Sequence, residues 1–131
     1  MNVQTTIKVF YHPLSVVANV QKVAGERYFF MEKPKALFEA LQKEELNLEH
    51  RTYEPFTWKD FELCHDPSYV EAVRTGTPIE LAESCAIPWS KELVAAIPYA
   101  TASIYAAAAY AASTGEPAMS MSTGFHHAKY L

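Results

Sequence analysis

The chain has 131 residues, half of them hydrophobic and a fifth charged, with 11 Lys and Arg against 15 Asp and Glu for a formal net charge of −4. That size suits a single domain with one modest core and excludes a full α/β enzyme built on a large sheet. No basic run appears, so no phosphate-neutralising surface and no nucleic-acid partner are expected.

In chain order, residues 1–6 show no basic region followed by an apolar run, and no secretory signal is read there. Ile7 to Tyr11 is rich in β-branched and aromatic residues and stops at His12-Pro13, the pattern of a first strand. Pro34 stands just inside a helix start, and Leu37, Phe38 and Leu41 share one face of a helix expected from about Lys35 to Leu46. A second strand is expected near Glu49 to Tyr53.

The next segment is dense in helix starts. Thr57 with Asp60 three residues on has the form of a capping box. Asp66-Pro67 is a cap followed by proline at the first helical position, with Tyr69, Val70, Ala72 and Val73 as an apolar face and Gly76 as the stop. Thr77-Pro78-Ile79-Glu80 repeats that grammar. Ser90 can cap a long helix running to about Ser113 and ended by Gly115, which Pro98 should kink or divide.

Leu93 to Ala112 is apolar enough to raise the question of a membrane, which needs ~20 strongly apolar residues. Pro98, Thr101, Ser103 and three tyrosines interrupt it and most of the rest is alanine, so it reads as a buried helix with no membrane partner. Ala118 to Ser122 alternates apolar and small residues as a short third strand. Strands alternating with helices predict an α/β fold, three layers α/β/α around a short parallel sheet. Cys64 and Cys85 lack metal-ligand spacing and read as reduced thiols in a cytoplasmic protein.

The residues that could carry chemistry close the chain: Ser122-Thr123-Gly124-Phe125-His126-His127-Ala128. Histidine moves protons near neutral pH because its unperturbed pKa is ~6.5, and ligands of open α/β sheets bind at the carboxyl ends of strands. From the pair alone, two solvent-exposed histidines are the plainer reading, because so short a motif is unspecific. His12 stands at the end of the first strand, on the same side, as a site-lining or a turn residue. His65 reads as structural, at the start of the Asp-Pro helix.

The terminal segment resembles the histidine-pair loop of histone deacetylases, acetylpolyamine amidohydrolases and acetoin-utilisation proteins. Cys64-His65-Asp66-Pro67-Ser68-Tyr69-Val70-Glu71-Ala72-Val73 resembles that family's helix with a His…Tyr-Val pattern. Glu32-Lys33-Pro34 resembles its Glu-Lys-Pro-Glu-Arg segment, with Lys35-Ala36 replacing the acidic-basic pair. The three segments keep the family's order. The resemblance implies an arginase/deacetylase fold, with residues 1–131 as a single truncated domain, the N-terminal third of a bacterial deacetylase-like protein.

The resemblance also implies roles. His127 matches the general base and His126 the residue that holds developing charge, while Gly124, Phe125 and His12 would line the substrate. The family's zinc is held by an Asp-x-His pair and a later Asp, all downstream of the loop, as is a tyrosine that polarises the substrate carbonyl. Only Ala128 to Leu131 follow His127 here, and Tyr130 is too near it to be equated with that tyrosine. The chain's two aspartates, Asp60 and Asp66, are explained by capping, and His12, His50 and His65 match no zinc motif, so no metal site and no cofactor are expected in this chain.

Three functions are compatible with these residues. One is a deacetylase-like remnant without hydrolytic activity, its histidines vestigial. A second is a binding or assembly module. The third is a zinc-dependent amidohydrolase, for acetyl-lysine or acetylpolyamine, completed by a partner protein or by further residues. A third strand without its neighbour would expose an edge, so a homodimer or higher homo-oligomer is expected.

Overall fold

The structure, a computed structural model, describes residues 6–20, 25 and 30–123. Three short strands, β1 (Ile7–Phe10), β2 (Leu48–Arg51) and β3 (Ala118–Ser120), form one sheet in the order β2-β1-β3, parallel throughout. Parallel strands need crossover connections. The first crossover contains α1 (Lys33–Leu41); the second contains α2 (Trp58–Phe61), α3 (Pro67–Thr75), α4 (Ile79–Ala82) and α5 (Lys91–Thr114). The fold is therefore mixed α/β, with its helices concentrated between the second and third strands as expected.

β1 is central because it alone is apolar enough to be covered on both sides. Val9 and Tyr11 bury with Met121 against Phe38 and Leu41 of α1 and against Leu48, and the Tyr11 ring stacks on Phe38 at 4.1 Å. His50 of β2 donates from Nε2 to the Tyr11 carbonyl at 2.8 Å and meets Phe38 edge-on, so this histidine is structural. A second core joins Val17, Val20, Met31 and Ile87 to Leu93 and Ala96 of α5. Burying side chains such as Val20 and Met31 contributes about 1.5–3 kcal/mol each.

The helix starts follow the sequence closely. Thr57 and Asp60 form the capping box: the Asp60 carboxylate accepts the Thr57 N–H at 2.6 Å and its hydroxyl at 2.7 Å. Asp66 caps α3 by accepting the Ser68 N–H at 2.8 Å, and Ser90 caps α5 by accepting the Leu93 N–H at 3.0 Å. Gly76 and Gly115 end α3 and α5 in the left-handed conformation.

Several details differ from expectation. β2 covers Leu48–Arg51 instead of Glu49 to Tyr53, and β3 ends at Ser120 instead of Ser122. α1 stops at Leu41 instead of Leu46: Gln42 to Glu45 offer nothing to bury, Leu46 is half exposed, and the chain tightens through Lys43 N–H to Ala40 and Glu44 N–H to Leu41 carbonyl bonds. α4 is capped by Pro78 and not by Thr77, so its first turn has no side-chain acceptor. Pro98 does not divide α5, which runs unbroken from Lys91 to Thr114. Pro98 lies in its third turn, where its carbonyl accepts the Phe56 N–H at 3.3 Å and ties the loop before α2 to the helix.

α5 is long and apolar enough to cross a membrane by length and composition. Leu93, Ala96, Ala100, Ala102, Ser103 and Ala107 are its buried positions, and it packs on β1, β3 and the 3-10 turn Pro13–Ser15. Ile104 and Tyr105 are exposed.

Two predictions follow from the helix ends. A Cβ on Gly76 would lie 2.8 Å from the Trp89 ring, whereas one on Gly115 meets nothing within 4 Å. Both glycines have positive φ, so Gly115→Ala should cost about 1 kcal/mol in urea denaturation and Gly76→Ala about 2 kcal/mol or more. Equal losses would contradict the Gly76–Trp89 contact. The bonds from Ser68 hold the Asp66 carboxyl below its ordinary range, and those from Thr57 do the same for Asp60. A depressed folded pKa gives stability that is complete above the unfolded value and is lost as pH falls through the folded one. Stability should therefore decline below about pH 4, and Asp66→Asn, which keeps a capping oxygen, should decline less. An identical acid profile for Asp66→Asn would contradict this.

Candidate functional site

All three strands run the same way, so their carboxyl ends share one end of the sheet, where α/β sheets hold ligands. β1 delivers His12 there. Its Nδ1 accepts the Leu14 N–H at 3.1 Å, which caps the 3-10 turn and leaves Nε2 to carry the proton of the neutral ring. The ring stacks on Tyr99 of α5 at 4.4 Å and meets Tyr53 edge-on at 6.2 Å. His12 thus forms the turn, and its half-buried ring lies between two tyrosines.

Beneath it lies a chain of hydroxyls. Ser103, fully buried on α5, donates to the Phe10 carbonyl at 2.9 Å and shares a hydrogen bond with Ser120 at 2.8 Å. Ser120 meets Ser122 at 3.2 Å, and Ser122 donates to the Ala100 carbonyl at 3.1 Å. Ser15 donates to the His12 carbonyl at 2.7 Å, so its hydroxyl serves the backbone and not the imidazole. The Tyr53 hydroxyl is buried beside Ser15 and Ser103 without a hydrogen bond of ordinary geometry, and burial raises its pKa above the usual phenol range.

The serine protons at this end are spent on backbone carbonyls and on one another, so the His12 Nε2–H is the donor this end could offer a polar group. The described residues supply no nucleophile paired with a base here. Among them, no three His, Cys, Asp or Glu side chains cluster as a metal site would require. Asp60 and Asp66 are both occupied by their caps, and Cys64 and Cys85 are free thiols. His65, half-buried, packs edge-on against Tyr69 at 5.7 Å.

The remaining sequence candidates, Gly124, Phe125, His126 and His127, lie outside the described residues. The segment that leads to them is fixed as far as Thr123, whose hydroxyl donates to the Met31 carbonyl at 3.5 Å. Sequence reasoning missed Tyr53, Tyr99 and the serines at this end. Ser103 did leave a signal: it is the polar member of a buried stripe Ala96-Ala100-Ser103-Ala107 at helical spacing. No model of a known protein family matches the chain, and no curated protein matches it.

Because the Tyr53 hydroxyl lacks a partner, Tyr53→Phe removes a buried polar group without breaking a bond. Its stability in chemical denaturation should stay within about 0.5 kcal/mol of the parent or rise. A loss above about 1 kcal/mol would show that the hydroxyl is bonded.

Proposed function

We propose that this chain is a deacetylase-like domain of the arginase/deacetylase type that does not hydrolyse amides by itself and acts as a self-associating or partner-binding module in the cytoplasm. The observation that carries the reading is the exit of β3. Ser122 is held by the Ala100 carbonyl, one residue from the Tyr99 ring that stacks on His12. The described chain therefore ends, at Thr123, beyond the carboxyl end of a parallel sheet; the resemblance gives His127 as base, His126 as charge holder and Gly124, Phe125 and His12 as lining. The other two family-like segments sit at helix starts, Glu32-Lys33-Pro34 on α1 and His65-Asp66-Pro67 on α3. We read α1, whose Phe38 and Leu41 pack with Val9 and Tyr11, and α5, which bonds the Phe10 carbonyl through Ser103, as the outer layers of a small α/β/α arrangement.

Hydrolysis in that family uses a metal-bound water, and these 131 residues contain no Asp-x-His pair to hold the metal. Self-association is favoured by the contrast between the two sheet edges. β2 carries Glu49, which pairs with both Lys8 and Arg51, charges that blunt an edge. β3 carries Ala118, Met119 and Ser120, pairs only with β1 among the described residues, and exposes Met119 beside Leu37. A twofold dimer pairing two β3 edges would cover it.

Sedimentation at low micromolar concentration should give a dimer or larger homo-oligomer; a monomer that loses no stability on dilution would contradict the module. The purified chain should not hydrolyse acetyl-lysine or acetylpolyamine substrates with zinc present. Hydrolysis abolished by chelator and by His127→Ala would overturn the inactive reading, and activity gained only on adding a second polypeptide would establish an enzyme completed in trans.

A further inference from the structure

A second concavity lies between α5 and the arm formed by α2, α3 and α4, and it shares none of His12, Tyr53, Tyr99 or Ser103. We infer that this cavity is a binding site for a small neutral apolar ligand, the size of a two-ring aromatic or a chain of roughly eight to ten carbons.

The size comes from its volume, about 300 Å³. Apolar cavities of about 150 Å³ take up benzene, so this one has room for twice that. The class comes from its walls. Trp58 and Phe61 of α2 form one side, with their rings 5.5 Å apart, and Tyr69 and Val73 of α3 form another. Ile97 and Thr101 of α5 form the floor. Apart from His65, whose ring packs edge-on against Tyr69, its lining is uncharged, and no Asp, Glu, Lys or Arg lines it among the described residues, so a charged ligand would lose its hydration for little in exchange. Burial raises the Tyr69 phenol above its ordinary range, which keeps that hydroxyl neutral.

The walls are built before any ligand arrives. Trp89 closes the cavity with its indole N–H donated to the Val73 carbonyl at 2.7 Å, its backbone N–H to Glu83 at 2.8 Å, and its ring against Gly76. A wall fixed in this way does not have to be ordered on binding.

Both of the chain's tryptophans line the cavity, which gives a local readout. Titrating the full chain with the neutral dye N-phenyl-1-naphthylamine should give saturable energy transfer from tryptophan at one dye per chain. Decanol should displace the dye, and decanoate and decylammonium should do so at least tenfold less well. Thr101→Phe and Val73→Phe fill the cavity from opposite walls. Each should weaken dye binding at least tenfold with an unchanged far-ultraviolet spectrum, while the surface change Ser113→Ala leaves it as it was. No saturable binding to the full chain would overturn the site. So would more than one dye per chain, equal displacement by the charged chains, or undiminished binding in both folded filling variants.

Discussion

One hydroxyl couples the long helix to two strands. Ser103 is wholly buried, and its Oγ reaches the Phe10 carbonyl and Ser120 together. It can do so only because its neighbours on the buried stripe, Ala96, Ala100 and Ala107, let the helix axis approach the sheet; longer side chains would hold it away. The Phe10 carbonyl also accepts the Met121 N–H at 3.0 Å, so one acceptor at the end of β1 joins α5 and β3. Buried polar groups must be partnered, and here the partnering determines which helix face meets which strand end.

That junction organises the carboxyl end of the sheet. It fixes the direction in which the chain leaves β3, and Ser122 extends it by bonding the Ala100 carbonyl. The same helix presents Tyr99 to the His12 ring, so the exits of β1 and β3 are built on one scaffold. On its other contacts, Ile97 and Thr101 floor the apolar cavity. Two different chemistries, one of hydroxyls and imidazole and one of aromatic rings, are thus supported by neighbouring positions of a single helix. The sheet thus has one charged edge, at β2, and one uncharged edge, at β3.

The parts of this architecture that rest on local chemistry were legible in the sequence. Capping residues specify helix starts through bonds spanning two or three positions, and Thr57, Asp66 and Ser90 all act as their spacing implies. Gly76 and Gly115 stop helices for the same local reason. The parts that depend on distant partners were not. The serine chain joins residues up to 93 apart in sequence, and no window along the chain contains it. Pro98 is expected to kink or divide its helix, yet α5 runs unbroken through it, because tertiary packing overrides propensity. His12 was legible as a strand-end residue, while its stacking on Tyr99 needed the fold.

The dependence of β3 on α5 is tested most directly by native-state amide hydrogen exchange in the parent chain and in Ser103→Ala. Protection in Ser103→Ala should fall at Met121 and along β3, while the start of the β1–β2 ladder, where Ile7 to Val9 face Leu48 to His50 away from the Phe10 carbonyl that Ser103 bonds, keeps its own. Unchanged exchange at Met121, or a uniform loss across all three strands, would contradict the claim that this hydroxyl positions the third strand and the segment that leaves it.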